Sequence, residues 1–134
     1  PQPTPTMTTS PQPSGPDTWG EIQTGENNFT ITLLIENKTI NDNDEVGVFY
    51  SNVLRGKAGA SLIPFGTYGG QKSFGIAIQN LSNDSLPILF TLKYWDSLNE
   101  IEYIITPINI GDDTFTVTNE SKGSILSPKI YHID

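Results

Sequence analysis

Residues 28–37 alternate strictly for most of their length, with Phe29, Ile31, Leu33 and Ile35 on one parity and Thr30 and Thr32 on the other. Successive side chains of a strand point to opposite faces, so a period of two describes a half-buried β-strand and not a helix. Short segments rich in β-branched and aromatic residues recur at 45–50, 53–58, 73–79, 88–95, 101–106, 114–118 and 129–133. Their boundaries are turn formers: Asn41 to Asp44, Ser51-Asn52, Gly69-Gly70, Ser82 to Ser85, Asp96 to Asn99 and Gly111 to Asp113. Each of these tolerates a tight or left-handed turn. No segment carries helical periodicity, and about eight strands at this spacing predict an all-β, antiparallel β-sandwich with a jelly-roll or immunoglobulin-like path. The longest expected loop, 59–71, carries Phe65 and Tyr68.

The alternation is absent from residues 1–18, which hold six of the ten prolines among Thr, Ser and Gln, with Met7 the sole large apolar side chain. Such a segment cannot build a core. Its composition favours extended polyproline II conformations and a semi-rigid spacer. The chain therefore divides into an extended Pro/Thr/Ser lead, 1–18, and a β domain, 19–134. The lead reads either as a linker or as an assembly arm held by a partner, with Thr6, Met7 and Thr8 placed to pair as an added strand. A chain opening at Pro1, with no initiator Met, reads as a processed piece of a longer precursor.

Charge narrows the partners. Fifteen acidic against seven basic residues leave a formal net charge of −8, and the cations Arg55, Lys57, Lys72 and Lys93 are scattered among carboxylates. No basic stripe is available for phosphate backbones or anionic lipid, so neither nucleic acid nor a membrane surface is an expected partner. No apolar run reaches the length of about 20 residues that spans a bilayer as a helix. Cysteine is absent and His132 is the single histidine. Thiolate and His-rich metal sites are thereby excluded, and nucleophilic triads would hang on one residue. A two-carboxylate glycosidase needs a deep cleft that a small sandwich seldom offers, so the expectation is a protein without catalytic activity.

Three patterns remain as candidate sites. Asp42, Asp44 and Glu45 sit in an acidic connection between two strands, where oxygen ligands could gather on calcium; the spacing is not that of an EF-hand, and the alternative is a turn whose Asx side chains bind their own backbone. Tyr50, Tyr68, Tyr94 and Trp95 could form an aromatic platform for a sugar ring, the alternative being core packing. Tyr94 and Trp95 are adjacent, so one is expected inside and the other available. Asn28, Asn37, Asn80, Asn83 and Asn119 each open an Asn-X-Ser/Thr sequon, a glycosylation acceptor in a secreted protein.

The run Asp42-Asn43-Asp44-Glu45-Val46-Gly47-Val48-Phe49, followed by Arg55-Gly56, by Phe90 to Asp96 and by Gly123 to Pro128, resembles the β-sandwich modules with a DGDEIGAF-type signature found in large secreted or surface proteins of bacteria. Asn43 stands where that pattern has Gly, and Asn also accepts left-handed turn geometry. The resemblance implies a non-catalytic extracellular module and carries no active site with it. Together with the lead, it supports a structural or adhesive cell-surface module, such as a filament subunit that associates with itself or with other extracellular proteins by strand addition. The alternative is a carbohydrate-binding module, tethered through its lead to a secreted enzyme and recognising polysaccharide.

Overall fold

The computed structural model describes residues 18–25 and 29–134. Thr6, Met7, Thr8 and Asn28 lie outside the described residues. The long strands form where the alternation of 28–37 and the β-branched and aromatic segments place them: β1 (Phe29–Ile35), β2 (Glu45–Tyr50), β3 (Val53–Gly59), β5 (Lys72–Ile78), β7 (Thr91–Asp96), β8 (Ile101–Pro107) and β11 (Lys129–Ile133). Four two-residue strands complete the set: β4 (Ser61–Leu62), β6 (Ile88–Leu89), β9 (Thr114–Phe115) and β10 (Ser121–Lys122). Helix is limited to one 3-10 turn at Asn83–Ser85 among the described residues.

Two expected strands are cut short for identifiable reasons. The segment 88–95 breaks at Phe90, whose amide donates to the Asp113 carbonyl (3.0 Å), so that β6 leaves the main sheet and pairs with β9. The segment 114–118 stops after Phe115 because the Glu120 carboxylate accepts the amides of Thr116 and Val117 (2.8 and 3.4 Å) and turns the chain. β4 lies inside the expected long loop, and Ile63 beyond it is fully buried.

The main sheet follows one hydrogen-bonded path, β3-β2-β7-β8-β11-β1-β5-β4. Most neighbours are antiparallel. β1 is the exception, antiparallel to β5 on one edge and parallel to β10 and then β11 on the other. The two sheets of the expected sandwich are joined here, because β8 pairs with β11 from Tyr131↔Pro107 to Ile133↔Ile105 and carries the ladder from one layer to the next. At the far ends β3 returns against β5, where the Gln79 amide donates to the Arg55 carbonyl (2.7 Å), and the sheet is nearly barrel-shaped.

Two residues make that closure. Arg55 is an extra residue in β3, a bulge that turns its backbone toward β5 and bends the strand. Its guanidinium donates to the Asn80 carbonyl (2.8 Å) and lies 5.8 Å from the centroid of the Tyr50 ring. Gly56 then crosses β5 at a distance no other residue permits: a Cβ there would come within 2.4 Å of the Ala77 carbonyl oxygen.

The interior is filled by the inward parity of the long strands. Phe29, Ile31 and Leu33 of β1, Val46 and Val48 of β2, Phe74 and Ile78 of β5 and Tyr94 of β7 are fully buried. Phe115 stacks at 4.7 Å on Phe29 and 4.8 Å on Phe90, so the β6–β9 ribbon plugs one end of the barrel with aromatic area. Tyr131 reaches the same region and donates its hydroxyl to the Asp112 carbonyl.

Candidate functional site

The acidic connection before β2 is a buried hydrogen-bond network. Asp44 has no exposed surface, and its carboxylate accepts from the Asn41 amide (2.9 Å), the Ser97 amide and hydroxyl (2.8 Å each) and the Tyr94 hydroxyl. Burial pushes its carboxyl up, but the bonds from Tyr94, Asn41 and Ser97 outweigh burial and hold it below the usual carboxylate range. Burial, and then the Asp44 charge, push the Tyr94 hydroxyl far above its ordinary range, so it stays a donor. Asp42 is instead paired with Lys72 on the surface, and the Glu45 carboxylate lies 3.6 Å from Lys57.

Asp42, Asp44 and Glu45 thus do not converge, and no group of three or more His, Cys, Asp or Glu gathers as a metal site among the described residues. The intrachain donors on Asp44 occupy the oxygens that calcium would need. Asp96 is drawn to the same end of the barrel. Its carboxylate binds Lys38 (2.9 Å) and caps the next turn through the amides of Leu98 and Asn99 (3.0 Å each). Burial raises its pKa, while the Asn99 and Lys38 interactions lower it to about 2.

Burial removes the expected aromatic platform. Tyr94 and Trp95 do point to opposite faces of β7, yet both are buried, Tyr94 completely and Trp95 to 7% exposure. Trp95 is buried because the outer face of β7 is covered by residues 18–25. Trp19 packs with Phe49, Leu54 and Trp95 in a second apolar cluster, edge-on to Phe49 at 5.5 Å. Gly47 provides the floor, since a Cβ there would sit 2.9 Å from the Trp19 ring. The Trp19 indole Nε1 donates to Glu102 Oε1 on β8 (2.7 Å), and Lys93 stands 3.7 Å from the other Glu102 oxygen. Tyr50 lies under Arg55, and Tyr68 is half-buried in the connection after β4.

Residues 18–25 therefore form a strap over the outside of the sheet. It begins at Trp19 above Glu102 and ends at Gly25, whose amide donates to the Gln79 side chain (3.4 Å) beside the β3–β5 closure. Trp19 directly follows the Pro/Thr/Ser lead in the sequence. Nothing in the spacing singles out Glu102 as its acceptor.

Beside the strap's root the sheet opens. The β7–β8 ladder runs from Asp96↔Ile101 only to Leu92↔Ile105; beyond it β6 departs to β9, and Thr106 and Pro107 pair with β11. The divergence leaves a cleft of about 220 Å³ lined by Leu89, Phe90, Leu92, Ile104, Ile105 and Pro107. Leu89 is 64% and Ile104 43% exposed. A second cleft of about 250 Å³ is lined by Glu36, Lys38, Gln71 and Lys72, but both lysines are already paired with carboxylates.

The described sequons differ in availability. Asn37 is tied at both ends of its amide to the backbone of Ile133 (3.1 and 2.8 Å). Asn83 donates its side-chain nitrogen to Asn119 Oδ1 (2.8 Å) and accepts the Asn119 amide (3.0 Å). Asn80 and Asn119 are exposed at left-handed turn positions.

Compared with family models, with curated proteins and with solved structures, the chain matches none. The residues that carry the DGDEIGAF-type pattern nonetheless have structural tasks in this chain: Asp44 organises the network, Gly47 admits Trp19, and Gly56 admits the β3–β5 crossing.

Proposed function

We propose that the protein is a non-catalytic extracellular structural or adhesive module that associates with copies of itself through its Pro-rich lead. The observation that supports this is the strap: the first described residues are not left loose but are seated by Trp19 on a rigid sheet face, which gives the lead a defined point of departure. An extended segment projected from a fixed root can supply main-chain hydrogen bonds and alternate side chains to another molecule. In this view the barrel is a flattened sandwich, with β3, β2, β7 and β8 in one layer and β11, β1, β5 and β4 in the other. The resemblance to surface modules and the Pro/Thr/Ser composition favour placement outside the cell. Sugar recognition loses support because Tyr94 and Trp95, half of its platform, face the two apolar clusters.

Sedimentation of the full chain against a chain lacking residues 1–17 tests the assignment. Self-association that depends on the lead is the expected result; equal association with and without it would remove the role of the lead.

A further inference from the structure

We infer that the two apolar turns around Phe65 and Leu126 form a contact face, and that its occupant is the same face of a second copy of the chain. The contact is separate from the lead and does not depend on it.

Both turns are fixed from within. The first is closed where the Ile63 amide donates to the Gln71 carbonyl and the Gly70 amide to the Ile63 carbonyl (2.8 Å each), and inside it the Gly69 amide donates to the Gly66 carbonyl (3.0 Å). The second lies between β10 and β11, where Ser124 and Ser127 each donate an amide to the other's carbonyl (3.1 Å each). These bonds hold the backbone and leave the tip side chains outward: Phe65 is 64%, Ile125 43% and Leu126 40% exposed. The tips meet, since Leu126 Cδ2 lies 3.9 Å from the point that a Cβ on Gly66 would occupy. Isolated apolar residues are ordinary on a surface. A contiguous group on two rigid turns marks a contact face, because little ordering entropy remains to oppose binding.

Charge selects the occupant. Residues 58–71 and 123–128 contain no Asp, Glu, Lys or Arg, and Lys57, Lys72, Lys122 and Lys129 bracket them. Each of these lysines is paired within the chain, with Glu45, Asp42, Glu120 and Asp112 respectively. The four pairs cancel, so the net charge of −8 lies on the rest of the chain. Two copies repel over most of their surface and can meet here without like-charge repulsion. An acidic partner or anionic lipid would call for free cations, and the lysines at this rim are already engaged. An uncharged apolar face is also its own complement, since hydrophobic burial is not directional, and a face that fits itself closes a two-fold dimer.

Charge complementation tests the face. Full-length Phe65→Asp chains are mixed with isotope-labelled full-length Phe65→Lys chains, and the dimers are weighed by native mass spectrometry. Position 65 is exposed, so neither change touches the core, and the pair Ile125→Asp and Ile125→Lys repeats the test on the other turn. Heterodimers enriched at least about tenfold over random pairing are expected, because like charges oppose each other in either homodimer. Random pairing at both positions overturns the face. Dimers that form at random and depend on residues 1–17 leave the lead's role standing while this contact falls. An unmodified chain monomeric at about 1 mM removes both. Co-sedimentation with uncharged phosphatidylcholine vesicles that Phe65→Asp abolishes, without heterodimer enrichment, overturns the second copy in favour of a lipid surface.

Discussion

Replacing Asp44 by Ala is expected to destabilise the fold by about 3 to 5 kcal/mol, because the substitution removes the carboxylate that satisfies the Asn41, Ser97 and Tyr94 donors. The Tyr94 hydroxyl is the most costly: its residue is completely buried, and a buried donor left unsatisfied costs about 1 to 3 kcal/mol. The Asn41 and Ser97 amides are only partly buried, so water can replace part of what they lose, at about 1 kcal/mol each. Domains of this size are stable by about 5 to 15 kcal/mol, so the variant would stand near the edge of folding. Urea unfolding followed by the fluorescence of Trp19 and Trp95 measures the loss. Tyr94→Phe alone should cost about 1 to 2 kcal/mol, and the double variant should cost less than the sum by a comparable amount, since removing both partners leaves no stranded hydroxyl. A loss below 1 kcal/mol for Asp44→Ala, or strict additivity with Tyr94→Phe, would refute the network as the reason for this aspartate. A melting temperature raised by calcium and lowered by chelator would do the same, because it would mean that the carboxylate binds a cation instead of these donors.

Further expectations concern acid, closure and strap. Asp44 and Asp96 both have folded-state pKa values below their unfolded value of 3.8, with Asp96 at about 2. Their contribution is therefore present in full above that unfolded value and is lost as pH falls from about 4 toward 2; for Asp96 it amounts to at most about 2 kcal/mol, read from urea midpoints across that window. Replacing Asp96 by Asn should flatten that part of the pH profile. Gly56→Ala should cost about 3 kcal/mol in the same unfolding assay, since the new methyl meets a backbone oxygen that cannot turn aside. Trp19→Ala should release the strap more than it unfolds the barrel: hydrogen exchange at residues 18–25 should accelerate at least tenfold, while the amides of β1 and β5 keep most of their protection.

Much of this architecture was legible in the chain. The period-two run at 28–37 and the β-branched and aromatic segments between turn formers located seven long strands to within a residue or two, save where Phe90 divides one of them, because strand-forming content and turn chemistry are local properties. Of the four short strands, β6 and β9 fall within expected strands that the fold cuts short, whereas β4 and β10 were not legible, since two residues carry no period, and exist because β5 and β1 offer them partners. The candidate sites fared differently. Asp42, Asp44 and Glu45 stood out as a dense acidic run, but proximity in sequence says nothing of where carboxylates point. The fold sends one inward to Tyr94 and pairs the others with lysines. Tyr94 and Trp95 were correctly set on opposite faces of a strand, and the expectation that one of them would be available failed because a face is free only if nothing else covers it.

The all-β class, the approximate extent of the long strands and the inward parity of β1 were set by the sequence alone. All three depend on interactions between residues close in the chain. Only the tertiary structure decided that β8 joins β11, that β3 bends back on β5 through Arg55 and Gly56, and that Trp19 lies on Glu102. Those choices pair residues far apart in sequence, where strand order and the packing of one surface on another outweigh any local pattern. The cleft beside Ile104 belongs with them, since it exists only where β7 and β8 part for different partners.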